Sequence, residues 1–200
     1  MNLIPLTGII AIVGVAVTIA SLGYLHIAPT GLSPIRNAVS EYGISPYRRW
    51  YRVATIALGI AGLATALILQ LALRGTLPAV ILLIIFGVAR LLISWSPMDA
   101  AGAARTRTGR IHNLLAIAAF ATATAAGFLA AGPIAADPHW AGFSPAATVF
   151  TWVMAVGSAG VILATASAPL RRLFGVFERT IYVGIIGWIT VLAIASATAG

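Results

Sequence analysis

Residues 33–52, SPIRNAVSEYGISPYRRWYR, gather the side chains best able to do chemistry: Arg36, Asn37, Ser40, Glu41 and Tyr42, followed by Arg48, Arg49 and Arg52. Guanidinium groups grip carboxylates and phosphates through paired hydrogen bonds, and a neighbouring carboxylic acid can pass a proton. This is the longest polar passage in a very apolar chain, so recognition or catalysis is expected to start here.

Other chemistry-bearing residues are few. Arg90 sits inside an apolar run, five positions before Trp95, which is about 8 Å along a helix at 1.5 Å per residue. Asp99 follows in SPMDAAGAARTRTGR, then His112 and Asn113; His26 closes the first apolar run. An arginine at membrane depth costs about 2.5–3.5 kcal/mol on insertion scales, so Arg90 should face other helices and find an anionic neighbour. Glu41, Asp99 or a lipid phosphate are the candidates. The functional reading is a pocket where Arg36 and Arg90 hold an anion while His112, Glu41 or Asp99 moves a proton. The plainer reading is an ion pair that pins the first loop to the bundle. Zinc accepts histidine and carboxylate, but no two of His26, Glu41, Asp99 and His112 stand at ligand spacing on one helix, so no metal site is assigned. The chain has no nucleophile elbow, phosphate-binding glycine loop or HExxH helix, and no cofactor is implied.

The elements that must position these residues are membrane spans. Hydrophobic residues make up 60% of the 200 and charged ones 8%, against about a quarter charged in a soluble domain; mean hydropathy is +1.03. Six apolar runs can be cut, at about residues 4–27, 47–73, 78–95, 111–131, 145–167 and 180–198. The expected fold is an all-α, polytopic bundle of six transmembrane helices forming a single domain over residues 1–200. The amino-terminal run lacks a positive flank and is too long for a signal sequence, so it is read as a retained span. Ser33-Pro34 starts a helix and Gly43 stops one, which predicts a short interfacial helix over residues 34–42 with Ile35, Val39 and Tyr42 on one face, Arg36 over Ser40 and Asn37 over Glu41. APLRRLFGVFER is expected to form a brief amphipathic connection before the last span.

The net charge of +8 is carried by arginines beside apolar runs, so membrane orientation and anionic lipid account for it and nucleic acid is not a partner. Loops 1, 3 and 5 and their flanking turns carry ten arginines (36, 48, 49, 52, 105, 107, 110, 171, 172, 179) against one, Arg74, for loops 2 and 4. The positive-inside rule then places loops 1, 3 and 5 in the cytoplasm and both termini outside a cell membrane. The absence of cysteine excludes disulfides and thiolate metal sites.

The elements SPIRNAVSEYG after the first span, SPMD closing the third and GRIHNLLAIAAF opening the fourth resemble the six-span bacterial membrane proteins of domain-of-unknown-function family 998. The resemblance covers nearly the whole chain. It singles out Ser40, Glu41, Tyr42 and Gly43, then Asp99, then Gly109 and His112. It implies the membrane bundle and brings no activity with it.

Together these readings lead to an expected function: handling a lipid or another apolar anionic small molecule at a polar pocket on the cytoplasmic face. Glu41, Asp99 and His112 would do acid/base work, and Arg36, Asn37, Ser40, Tyr42, Arg90 and Asn113 would bind. Protonation of an isoprenoid-like chain is one version. Membrane lipids are the expected partners. The alternatives are a non-catalytic lipid-binding or scaffold subunit, and a small transporter.

Overall fold

A computed structural model of the chain describes residues 3–198. Among the described residues the regular structure is helical, with no strand. The helices are α1 (Leu3–Ile27), α2 (Arg48–Ala72), α3 (Leu77–Ile93), α4 (Arg107–Ala136), α5 (Ser144–Ala166), the single turn α6 (Ala168–Arg171) and α7 (Phe174–Thr198). Short 3-10 segments occupy Val39–Ile44 and Ala141–Phe143. Five helical stretches are long and apolar enough to cross a membrane, and α3, at 17 residues, is a shorter apolar helix. The protein is an all-helical, multi-pass membrane bundle.

Residue size shows how the helices assemble. In hydrocarbon, lipid tails are as apolar as leucine, so helices associate through close packing of small residues. On α1, Gly8, Ala11, Gly14 and Thr18 are buried while Ile9, Val13 and Val17 face outward. The α5–α7 contact repeats the pattern from both sides. A Cβ added at Gly157 would lie 2.7 Å from the backbone nitrogen of Ile181, and one at Gly184 would lie 2.7 Å from that of Met154. Each glycine admits the other helix's backbone.

Helices adjacent in sequence pack side by side, and α7 closes the bundle by lying against α1 and α5, with lighter contacts to α2 and α4. One side of α7 therefore reaches the centre of the bundle.

Three local expectations are corrected. Residues 34–42 do not form a helix: one turn closes by the Asn37 N–H donating to Ser33 O (2.8 Å), and the chain then enters the 3-10 segment Val39–Ile44. The reason is that polar side chains and α7 take the groups a helix would use. The Asn37 side-chain oxygen accepts from Ser33 N, Glu41 accepts from Ala38 N, and the Val39 N–H donates to Glu178. Of the three residues expected on one face, Val39 and Tyr42 turn inward and Ile35 is 54% exposed. Second, α7 begins at Phe174, so Glu178 and Arg179 are helical rather than in a loop. Gly175 allows this, because a Cβ there would lie 2.5 Å from both Asn37 O and Pro34 O where loop 1 crosses the helix. Third, α4 starts at Arg107 and continues through Pro133 to Ala136. Thr106 caps its start by accepting from Gly109 N (3.0 Å).

Candidate functional site

The centre of the site is Arg90, on the inward face of α3 and 2% exposed. Its Nη2 donates to the Tyr182 hydroxyl on α7 (2.8 Å), and the guanidinium carbon lies 5.1 Å from the centre of the same ring. Phe120 of α4 packs edge-on against that tyrosine, with ring centres 5.9 Å apart. The hydrogen-bond partner of Arg90 is thus a buried tyrosine, where the sequence reading expected Glu41 or Asp99 among the protein's own residues. Helix spacing explains the placement: Glu178 and Tyr182 are one turn apart on the inward face of α7, and both are buried.

Tyr51, in the first turn of α2, is 4% exposed and lies within electrostatic reach of Tyr182, Arg90 and Glu178. His112, in the second turn of α4, is 3% exposed, and its Nδ1 pairs with Ser96 O at 2.7 Å. A backbone oxygen only accepts, so Nδ1 carries the proton and Nε2 of the neutral ring presents a lone pair. Arg90 lies within electrostatic reach of this imidazole. The Tyr51 hydroxyl, Arg90 Nε and His112 Nε2 are all buried and have no hydrogen-bond partner among the described residues.

Loop 1 covers this cluster. A Cβ at Gly43 would lie 2.9 Å from the Tyr51 ring, so the loop backbone lies directly on it. Val39 N donates to Glu178 Oε2 (2.7 Å), and Val176 N donates to Ile35 O (3.2 Å). Arg179 adds a clasp: Nε donates to His26 Nε2 (2.7 Å), Nη1 to Asn37 O (2.9 Å) and Nη2 to the Tyr42 hydroxyl (3.4 Å).

The other residues expected at the site fall into two local networks or stay outside. Glu41 accepts from Asn37 Nδ2 and from Ala38 N, each at 2.8 Å, and so shapes loop 1. Asp99 accepts from the Thr106 hydroxyl (2.7 Å) and Thr106 N (3.0 Å) and closes loop 3. Those two bonds, the hydroxyl first, hold its carboxyl below the usual range, helped by the charges of Arg105 and Arg110. Gly109 makes room for this, because a side chain there would collide with the Asp99 carboxylate. Arg36 and Asn113 are exposed and Ser40 is half-buried.

Among the described residues no cluster of three metal-ligating side chains forms. The family model described as "Protein of unknown function (DUF998)" matches residues 12–195. The chain belongs to this family. No curated protein and no solved structure matches it. The residues of the DUF998 match include loop 1, the Arg90 cluster and the Asp99 turn, which leaves their chemistry to be argued from their geometry.

Proposed function

We propose that this membrane protein takes the anionic end of a lipid or other apolar molecule into the cluster around Arg90. The observation that carries this reading is the buried Arg90 Nε–H, a group that only donates and that meets no acceptor among the described residues. An unmet buried donor costs about 1–3 kcal/mol, more when charged, so a molecule that supplies an oxygen there gains affinity. If a reaction follows, His112 is the first candidate for moving a proton, because Nε2 is its free nitrogen. Glu41 and Asp99 would first have to release the hydrogen bonds they make within their loops. Arg36 and Asn113, at the surface, would act at the approach to the site, with Ser40, Asn37 and Tyr42 on the loop that covers it.

A non-catalytic reading is favoured by the Arg179 clasp, which ties α1, loop 1 and α7 together as a structural joint would. The two readings separate in one experiment. Protein extracted from its own membrane is analysed by native mass spectrometry and lipidomics, as wild type and as Arg90→Met. Met keeps roughly the length of the side chain, and the Tyr182 hydroxyl that loses the Arg90 bond is neutral, so no partner charge is left hydrogen-bonded to nothing. The pocket reading expects a defined anionic ligand on the wild type, absent from Arg90→Met, with thermal stability little changed. No defined ligand on either form, with a large loss of stability in the variant, would leave only the structural joint.

A further inference from the structure

Beside Arg90 lie groups with hydrogen-bonding capacity left over, and their types restrict what can join them. Arg90 Nε–H offers a donor. Tyr182 accepts from Arg90 Nη2, which leaves its own hydroxyl proton to give elsewhere. The Tyr51 hydroxyl has no hydrogen-bond partner, and with Nδ1–H donating to Ser96 O the neutral His112 ring presents a lone pair at Nε2. The set is therefore rich in donors, the two tyrosine hydroxyls can also accept, and His112 Nε2 of the neutral ring is the one group that only accepts.

We propose that these residues form a binding site for a phosphate monoester group. The proposal rests on the Arg90 reading above and narrows it. A singly protonated phosphate monoester has several acceptor oxygens for Arg90, Tyr51 and Tyr182, and one P–O–H that can donate to His112 Nε2. A carboxylate supplies acceptors but no donor, an alcohol supplies few acceptors, and a quaternary ammonium supplies neither and would oppose Arg90. If the proton passes from the phosphate to His112, the oxygen keeps the electron pair and an imidazolium then faces a dianion, so charge is conserved and each group remains paired. Glu178 does not already fill this role: its Oε2 is used by Val39 N, and the charges it faces include Arg179 and Glu41 as well as Arg90. Loop 1, lying on Tyr51 through Gly43, is the cover that must lift for the group to enter.

The same chemistry is offered by a lipid phosphate head group and by free phosphate, and the test distinguishes them. The full chain in neutral maltoside micelles is titrated with monododecyl phosphate and, separately, with inorganic phosphate, following the phosphorus resonance. Dodecyltrimethylammonium serves as an amphiphile control. Wild type is expected to bind monododecyl phosphate saturably, and Tyr51→Phe, which removes one hydroxyl and keeps the ring, is expected to bind about tenfold more weakly. Tyr24→Phe, in the exposed stack with Trp50, should bind as wild type does. Saturable binding of dodecyl phosphate alone identifies a lipid-borne group, and binding of inorganic phosphate as well identifies the free anion as sufficient. The proposal is overturned if neither phosphate binds, or if Tyr51→Phe binds as tightly as wild type. A lipid lost from Arg90→Met in the previous experiment, combined with no phosphate binding here, would keep the Arg90 reading and remove the phosphate assignment.

Discussion

At the scale of single residues, environment separates carboxylates that look alike in the sequence. Asp99 is held by the Thr106 hydroxyl and N–H, and its carboxyl stays charged to lower pH than usual. A depressed folded-state pKa means that the Asp99–Thr106 bonds contribute their full stability above the ordinary carboxylate range and lose it as pH falls through the lowered value. The protection factor of the Thr106 amide against hydrogen exchange should therefore hold steady from neutral pH down to about pH 4 and fall only below it. Asp99→Asn should show weaker protection at neutral pH and no acid step; a wild-type step above about pH 5 would contradict the assignment. Arg90 and His112 were legible in the sequence, because a charge or an imidazole inside an apolar run has to be satisfied somewhere. Tyr51 and Tyr182 were not, since tyrosines near span ends resemble an interfacial aromatic belt. Glu178 is absent from the site read in the sequence, because that reading starts the last span at residue 180, whereas the helix that turns this acid inward starts at Phe174.

At the scale of elements, loop 1 and the first turns of α7 behave as one unit. The loop has few apolar anchors, Val39 and Tyr42 being the main ones, and it is otherwise held by hydrogen bonds from Arg179, Val39 and Val176. Each such bond contributes about 0.5–1.5 kcal/mol net, so removing the Arg179 set should open the loop without unfolding the helices. The chain contains no cysteine, which makes a single introduced thiol a clean reporter. Maleimide labelling of Ser40→Cys is expected to be slow, and roughly tenfold faster in the Arg179→Ala background, for a loss of about 1.4 kcal/mol of closure. Equal rates in the two backgrounds would show that Arg179 does not hold the loop. That Val39 and Tyr42 share a face was readable from their spacing, although Ile35 does not join them. The form of the segment was not, because propensity rules count backbone donors as available to a helix. Here Asn37, Glu41 and Glu178 hold backbone groups of residues 33, 38 and 39 through side-chain bonds.

At the scale of the whole molecule, the long apolar helices were plain from composition, and the order in which they close was not. α7 joins α1 and α5 through glycine and alanine contacts that carry no signal of which helix they meet. The arrangement gives the site a sidedness. Loop 1, the end of α3, the start of α4 and the start of α7 meet at one end of the bundle, through Arg52 Nε donating to Ser94 O (3.0 Å), His112 with Ser96 O and Val39 N with Glu178. Most of the arginines lie in these segments and in the connection between α5 and α7, while the α2–α3 turn carries only Arg74. From the positive-inside bias we propose that the Arg90 site lies nearer the cytoplasmic leaflet, where phosphate head groups and soluble phosphates would both reach it. Arg74→Cys and Arg105→Cys test this directly, since both positions are exposed and neither substitution reverses the charge bias. On intact cells a membrane-impermeant maleimide is expected to label Arg74→Cys and to spare Arg105→Cys until the membrane is opened. The reverse pattern would place loop 1 outside, and the molecule that lifts it would have to arrive from that side.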